Sequence, residues 1–266
     1  MTVSRRTLAT EARFEGLGLH SGNPVSVTVH PSSDGIWFRL GQERWQARPE
    51  NVTDTRRCTR LGEIGTVEHL MSALAGLEIT DVEVEVTASE MPALDGSAAG
   101  YAAGLLEAGF QPLGDSICRE PFSRVFLQEI PIKIAIAKGR GHWRYAYEVP
   151  DHWPGHQVFE REDVVAGYAD EIAPARTFAL AEEVPMVLAA GLGKGLGLEQ
   201  VLIVGLEGYK NDPRFPDEPA RHKMLDLLGD LYLSGVPAGC LDVVAERSGH
   251  RTNVEAAARL LAAVTA

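Results

Sequence analysis

One stretch of the chain, residues 221–230, restricts the fold more than any other. His222 and Asp226 lie four residues apart, so in a helix they are on the same face and about one turn apart. Asp230, four residues later, continues this polar row. Leucines cover the remaining faces, at positions 225, 227, 228, 231 and 233. The helix must therefore be buried, and buried charges are costly unless they are paired or bound to a metal. Two readings remain open here: a His–Asp pair bonded along the helix with a solvated Asp230, or a tetrahedral Zn²⁺ site.

An earlier part of the chain repeats this pattern. Residues 69–77 read His-Leu-Met-Ser-Ala-Leu-Ala-Gly-Leu, and residues 222–231 read His-Lys-Met-Leu-Asp-Leu-Leu-Gly-Asp-Leu. Each stretch follows predicted strands, and two matching α+β units indicate a duplicated fold in which the two helices face each other. Turn-forming residues between positions 112 and 121 interrupt the pattern, so we expect one domain at 1–118 and another at 119–266.

Hydrophobic periodicity predicts the local elements. Alternating residues predict strands at 25–30 and 81–87, and a hairpin is expected from 35–40 and 43–47. A helix is predicted over 65–77, with Thr66 as its N-cap and His69 as its third residue. Further helices are expected at about 95–108, 161–172 and 180–190, and from Asn253 onward. Residues 125–128, 130–137 and 142–149 predict a meander, 175–178 and 241–246 predict strands, and the glycine-rich run 191–197 predicts a flexible connector rather than a phosphate loop.

Composition limits the classes of protein to which the chain can belong. With 37 acidic and 25 basic residues among 266, the formal net charge is −12, which argues against a nucleic-acid partner. Three widely spaced cysteines, Cys58, Cys118 and Cys240, form neither a disulfide framework nor a cysteine-based zinc site. No apolar run is long enough for a transmembrane helix or signal peptide. We expect a cytoplasmic monomer.

A catalytic metal site follows if the two repeated helices face each other. His69 would then approach His222 and Asp226, and a set of two histidines and one aspartate leaves a fourth position open, as in catalytic zinc sites. Glu68 lies beside His69, where its carboxylate can take a proton from a water molecule that the metal activates. The sequence therefore predicts Zn²⁺ as the cofactor and Glu68 as a general base.

Amide hydrolysis also requires a proton donor and groups that stabilise the oxyanion. His250, in a Ser-Gly-His turn after a strand, is the candidate donor, and Asp230 can keep it protonated. Thr177 and Lys223 are candidate oxyanion and substrate contacts. Each also has an ordinary structural reading: a histidine in a glycine turn is often exposed, a lysine is often solvated, and a threonine can satisfy a strand end.

Several long motifs of the chain resemble the UDP-3-O-acyl-N-acetylglucosamine deacetylase (LpxC) family. They occur in order along essentially the whole chain, at residues 16–22, 66–77, 92–99, 175–178, 221–230 and 247–250. The resemblance implies an α+β fold of two similar domains, with helices sandwiched between two mainly antiparallel sheets. It also implies zinc ligands at His69, His222 and Asp226, with Glu68 as base. His250 would be the acid, supported by Asp230, and Thr177 and Lys223 would assist.

The resemblance further implies a substrate and a pathway. The substrate would be a UDP-linked, acylated amino sugar, which loses its N-acetyl group in the committed step of lipid A synthesis. An apolar channel in the second domain would accept the acyl chain, although segments 150–155 and 191–199 differ from the family pattern there. Two alternatives remain: a zinc deacetylase that acts on another N-acylated amino sugar, and a non-catalytic sugar-nucleotide-binding relative.

Overall fold

Two sheets flank the central helices of the computed structural model, which describes residues 3–117, 123–150 and 152–265. The helices are α1 (Glu68–Gly76), α2 (Ala99–Ala108), α3 (Val184–Ala189), α4 (Glu218–Tyr232) and α5 (His250–Thr265). The predicted α+β fold, with two similar units and helices between two mainly antiparallel sheets, is confirmed. The predicted domain boundary after residue 118, and Cys118 itself, lie outside the described residues. Cys58 and Cys240 are buried.

The first sheet has five strands in the order β2, β3, β8, β4, β5. Valines on alternate positions of its strands point into the core, as the burial of Val25, Val27 and Val29 shows. The strands before α1 are β1 (Val3–Leu8), β2 (Ala12–Leu17), β3 (Pro24–Pro31), β4 (Ile36–Leu40), β5 (Glu43–Gln46), β6 (Val52–Asp54) and β7 (Arg60–Leu61); β8 (Val82–Val86) and β9 (Phe110–Ile117) follow. Strands β6 and β7 pair with each other, as do β1 and β9.

The second sheet repeats this topology. Its strands are β10 (Val125–Glu129), β11 (Ile132–Lys138), β12 (Trp143–Glu148), β13 (His156–Arg161) and β17 (Leu241–Glu246), in the order β10, β11, β17, β12, β13. In each sheet the middle strand, β8 or β17, is antiparallel to one neighbour and parallel to the other. This shared topology agrees with the repeat in the sequence. A smaller sheet of β14 (Phe178–Leu180), β15 (Leu202–Gly205) and β16 (Gly208–Tyr209) lies between β13 and α4 in sequence.

Helices α1 and α4 pack closely at the centre of the structure. All nine residues of α1 are buried. A Cβ atom at Gly229 would lie 2.1 Å from the carbonyl oxygen of Glu68, so only glycine permits the observed approach of the two backbones. The predicted contact between the two repeated helices is therefore present, and it brings the first turn of α1 against the middle of α4.

Several local predictions were wrong. Strand β17 separates β11 from β12, so these strands do not form a meander. Residues 110–117 form a strand rather than turns, because they pair with β1. Residues 161–172 do not form an α-helix: β13 ends at Arg161, the Asp163 carboxylate accepts hydrogen bonds from the amides of Val165 and Ala166, and only a short π-turn follows at Tyr168–Ile172.

Helix boundaries also differ from the predictions. Thr66 has a φ of +61° and does not cap α1, so His69 is the second helical residue. The predicted helix at 180–190 is limited to α3, and the strand predicted at 175–178 lies at 178–180. Helix α5 begins at His250 rather than near Asn253, because the Gly249 carbonyl already accepts the Asn253 amide in a helical bond. Within the described residues, each helix is too short or too polar to span a membrane.

Candidate active site

The three predicted metal ligands meet where α1 contacts α4. The Nε2 atom of His222 lies 3.5 Å from Oδ1 of Asp226, and Nε2 of His69 lies 3.9 Å from the same oxygen. One ligand atom from each residue lies within 4.8 Å of the other two. Asp226 Oδ1 is buried and accepts no hydrogen bond from any described residue. A buried carboxylate oxygen that faces two imidazole nitrogens without a donor fits a bound cation.

Neighbouring groups orient these ligands. Nδ1 of His222 donates to the Ala175 carbonyl at 3.0 Å, which leaves Nε2 with its lone pair directed at the site. The Arg176 guanidinium forms a buried ion pair with Glu218 at 2.9 Å, and this pair holds the 175–178 segment against the start of α4. Asp226 Oδ2 accepts from Nζ of Lys223 at 3.0 Å. Oδ1 of Asp226 therefore remains available to a metal.

Electrostatics keep the ligands in the forms that a metal requires. Burial, together with the repulsion that a protonated His222 would exert, lowers the pKa of His69 to about 3. Burial also lowers the pKa of His222. Burial alone would raise the pKa of Asp226, but the Lys223 ammonium and the neighbouring histidine side chains outweigh it and hold that pKa well below its usual value. Both histidines are thus neutral and the aspartate is ionised near neutral pH, as metal binding demands.

Glu68 and His250 face each other beside the three ligands. Nε2 of His250 lies 3.9 Å from Oε1 of Glu68. Burial raises the pKa of Glu68 to about 8, although the charge of His250 acts in the opposite direction. Burial would lower the pKa of His250, but Asp230, Asp226 and Glu68 outweigh it and raise that pKa to about 9. The site therefore places an imidazolium next to a carboxyl group of unusually high proton affinity.

Asp230 is fully buried behind His250 and does not bind in the ligand cluster. Its Oδ2 accepts from Nδ1 of His250 and from Nδ2 of Asn253, both at 3.0 Å. Its Oδ1 accepts from the Thr59 hydroxyl at 2.6 Å. The reading of Asp230 as a solvated end of the polar row is thus wrong. Sequence reasoning missed Thr59 and Asn253; only the position of Asn253, three residues after His250, gave any signal.

A cavity of about 200 Å³ joins these groups to an apolar wall. Thr177 and Lys223 line it together with Glu68, His250 and the three ligands, so the structure brings all the predicted residues except the buried Asp230 to one cavity. Lys223 is held between the charge of Asp226 and the ring of Phe178, whose centroid is 5.5 Å from Nζ. The apolar wall consists of Leu19, Phe178, Ala179, Val187, Leu192, Leu196 and Val201.

The glycine-rich run closes one side of this cavity. The amide of Lys194 donates to the His20 carbonyl at 3.3 Å, and the amide of Gly195 donates to the Leu19 carbonyl at 3.2 Å. A Cβ atom on Gly195 would lie 2.2 Å from the Gly18 carbonyl oxygen. The run is therefore hydrogen-bonded to the 18–22 turn through two of its amides.

Comparison with known proteins identifies close relatives of this chain. The family described as UDP-3-O-acyl N-acetylglycosamine deacetylase matches residues 5–262. A UDP-3-O-acyl-N-acetylglucosamine deacetylase of Thermosynechococcus vestitus is 36% identical over 97% of this chain and 94% of its own length. The protein of the same name from Synechocystis is 34% identical over 96% of this chain and 97% of its own length. That from Anaeromyxobacter dehalogenans is 36% identical over 97% of this chain and 88% of its own length.

Proposed function

The chain belongs to the UDP-3-O-acyl N-acetylglycosamine deacetylase family, and from this we propose that it hydrolyses the N-acetyl group of UDP-3-O-acyl-N-acetylglucosamine. The products are acetate and the free 2-amino sugar, and the reaction is the committed step of lipid A biosynthesis. The observation that supports this best is the unpaired, buried Oδ1 of Asp226, which faces two imidazole nitrogens beside Glu68 and His250. A purely structural His–Asp pair would leave no such oxygen without a donor.

We propose that His69, His222 and Asp226 hold Zn²⁺. Two imidazoles and one carboxylate leave a fourth coordination position open, which is the usual donor set of a catalytic rather than a structural zinc site. A bound Zn²⁺ supplies Lewis acidity, which lowers the pKa of a water molecule from 15.7 to about 7. The hydrogen bond from His222 to Ala175 and the ion pair of Lys223 with Asp226 keep these ligands oriented.

In this proposal Glu68 is the general base. Its carboxylate takes a proton from the attacking water as the water oxygen bonds to the acetyl carbonyl carbon. Burial of Glu68 raises its pKa to about 8, so the carboxylate is a stronger proton acceptor than an exposed glutamate. Lys223 and the hydroxyl of Thr177 line the same cavity and stabilise the negative charge that develops on the carbonyl oxygen.

His250 is the general acid. Its imidazolium donates a proton to the sugar nitrogen as the C–N bond breaks, which yields a neutral amine and acetic acid; the acetic acid then loses a proton to become acetate. With a pKa of about 9, His250 carries this proton throughout the neutral range. The hydrogen bond from Nδ1 to Asp230 keeps Nε2 directed toward the cavity. The base and the acid therefore occupy neighbouring positions, and the reaction requires Glu68 in its ionised form and His250 in its protonated form.

The apolar wall accounts for recognition of an acylated sugar. Leu19, Phe178, Val187, Leu192 and Leu196 form a continuous lining beside the candidate metal ligands. We place the 3-O-acyl chain against this wall, with the UDP-linked sugar presenting its acetamide to Glu68 and His250. We also propose a cytoplasmic location and a monomer, on the grounds of the cysteine usage and composition of the sequence.

Acetate release tests this function. We expect the metal-loaded protein to release one acetate for each UDP-3-O-acyl-N-acetylglucosamine consumed, and much less from N-acetylglucosamine, which lacks both the acyl chain and the nucleotide. If acetate is released from another N-acylated amino sugar and none from the acylated UDP-sugar, the chain is a deacetylase but the proposed substrate is wrong. Tight binding of the acylated UDP-sugar with no acetate released would favour a non-catalytic relative.

A further inference from the structure

Thr59 contacts the carboxylates of both Glu68 and Asp230. Its backbone amide donates to Oε2 of Glu68 at 3.0 Å, and its hydroxyl donates to Oδ1 of Asp230 at 2.6 Å. Its carbonyl accepts from the amide of Val67 at 3.2 Å, immediately before α1. Thr59 is 0% exposed. Both its backbone amide and its backbone carbonyl are therefore hydrogen-bonded, and its side chain connects the first half of the chain to α4.

Thr59 and His250 engage opposite oxygens of the same two carboxylates. Oε2 of Glu68 faces the Thr59 amide, whereas Oε1 faces Nε2 of His250 at 3.9 Å. Oδ1 of Asp230 faces the Thr59 hydroxyl, whereas Oδ2 accepts from Nδ1 of His250. The amide and hydroxyl of Thr59 and the side chains of Glu68, His250 and Asp230 thus form a closed ring of contacts. Asp230 is hydrogen-bonded through both oxygens, whereas Glu68 is hydrogen-bonded to Thr59 through Oε2 and only approaches His250 with Oε1. Rotation of either carboxylate therefore breaks its hydrogen bond to Thr59.

This ring joins groups from different parts of the fold. Glu68 opens α1, Asp230 lies in α4, and His250 opens α5. The relative placement of the base and the acid thus depends on contacts between the two halves of the chain, and Thr59 adds a hydrogen bond of this kind at a buried position away from the substrate cavity. Asn253 also donates to Asp230, but to the oxygen that it shares with His250, so it does not replace the Thr59 hydroxyl.

We propose that Thr59 is a positioning residue for the deacetylation. Its amide fixes the carboxylate of the base, and its hydroxyl fixes the carboxylate that orients the acid. This inference rests on the proposed function for its kinetic consequence, but the ring itself is a property of the structure. Without the hydroxyl, Asp230 Oδ1 is left buried with no donor, and the carboxylate plane is free to turn away from His250.

Replacing the hydroxyl with a methyl group tests the proposal. In Thr59→Val we expect kcat to fall about 10- to 100-fold, because small displacements of catalytic groups can cost about 100-fold. KM should stay within about twofold, since Thr59 does not line the cavity. Thr59→Ser keeps the hydroxyl and should retain at least about a third of the wild-type kcat.

A matched control separates positioning from loss of any buried hydroxyl. Thr80 is also buried, and its hydroxyl donates to Oδ2 of Asp81 at 2.5 Å, outside the active site. Thr80→Val should keep the wild-type kcat while losing thermal stability. An equal loss of kcat in Thr80→Val and Thr59→Val would overturn the proposal, as would a Thr59→Val enzyme that changes only in KM or a Thr59→Ser enzyme as slow as Thr59→Val.

A second measurement does not depend on turnover. In the metal-loaded protein, NMR exchange of the His250 Nδ1 proton with solvent should be about tenfold faster in Thr59→Val than in wild type or Thr59→Ser. Unchanged exchange would overturn the role of Thr59. If the wild-type protein releases no acetate, the proposed function fails, whereas the exchange rates still decide whether Thr59 holds Asp230 against His250.

Discussion

Replacing Asp230 with asparagine tests how His250 is kept protonated. Asp230 Oδ2 lies 3.0 Å from Nδ1 of His250, and Asp230 is the strongest of the charges that raise the pKa of His250, ahead of Asp226 and Glu68. The pKa of about 9, compared with an ordinary value of 6.5, means that the site favours the imidazolium by about 3 kcal/mol. Asparagine keeps the shape of the side chain and a hydrogen-bond acceptor but removes the charge. The pKa of His250 must therefore fall.

The sign of the pH effect follows from the role of the acid. A general acid acts in its protonated form, so activity is present below its pKa and is lost as the pH rises through that value. At pH 8 a group with a pKa of about 9 is about 90% protonated, whereas an ordinary imidazole is about 3% protonated. We therefore expect Asp230→Asn to lower the ratio of kcat/KM at pH 8 to that at pH 6 by up to about 20-fold.

The assay is acetate release measured from pH 5.5 to 10. The alkaline midpoint of kcat/KM should lie near 9 in the wild type and move toward 6.5 in Asp230→Asn. Asp163→Asn is the matched control, because it removes one exposed carboxylate, in a loop after β13, that accepts hydrogen bonds from the neighbouring amides of Val165 and Ala166. The same alkaline midpoint in Asp230→Asn and wild type would refute the assignment of the acid to a His250–Asp230 pair.

Three further changes test other parts of the site. Glu68→Gln should keep the bound metal, measured by elemental analysis, but lower kcat by about 100- to 10,000-fold; an unchanged rate would remove Glu68 from the mechanism. Asp226→Ala should weaken zinc affinity by at least about 10- to 100-fold in competition with a chromogenic chelator, and wild-type affinity would exclude Asp226 as a ligand. Gly229→Ala places a methyl group 2.1 Å from the Glu68 carbonyl oxygen and should lower the free energy of unfolding by about 1–3 kcal/mol in urea. Gly249→Ala, whose Cβ meets open space, should change it by less than about 0.5 kcal/mol, and equal effects would contradict the close packing of α1 on α4.

Local periodicity predicted elements whose burial alternates, but it could not predict their pairing. Residues 82–86 bury every second side chain, and their strand was predicted from that pattern. In contrast, β17 inserts between β11 and β12 from about 100 positions further along the chain, and nothing local specifies this partner. Pro112 and Gly114 suggest turns, yet β9 accommodates them because it pairs with β1 across a register shift.

The residues of the site also divide into those that local spacing predicts and those that only the assembled fold brings together. His222 and Asp226 were predictable because four-residue spacing on a helix places them together whatever the rest of the fold, and Glu68 adjoins His69 in sequence. Thr59 lies 171 positions from Asp230, so its role depends on a contact that only the assembled fold creates. The apolar wall likewise combines Leu19 with residues between 178 and 201, and no single segment of the sequence contains it.

Zinc content measured together with acetate release tests the central claim most directly. Protein purified without added metal should contain about one Zn²⁺ per chain, bound by His69, His222 and Asp226. It should release acetate from UDP-3-O-acyl-N-acetylglucosamine, lose that activity when a chelator removes the zinc, and regain it when one equivalent is restored. Acetate release that persists in fully zinc-free protein, or stoichiometric zinc binding with no acetate released from this substrate, would contradict the proposed function.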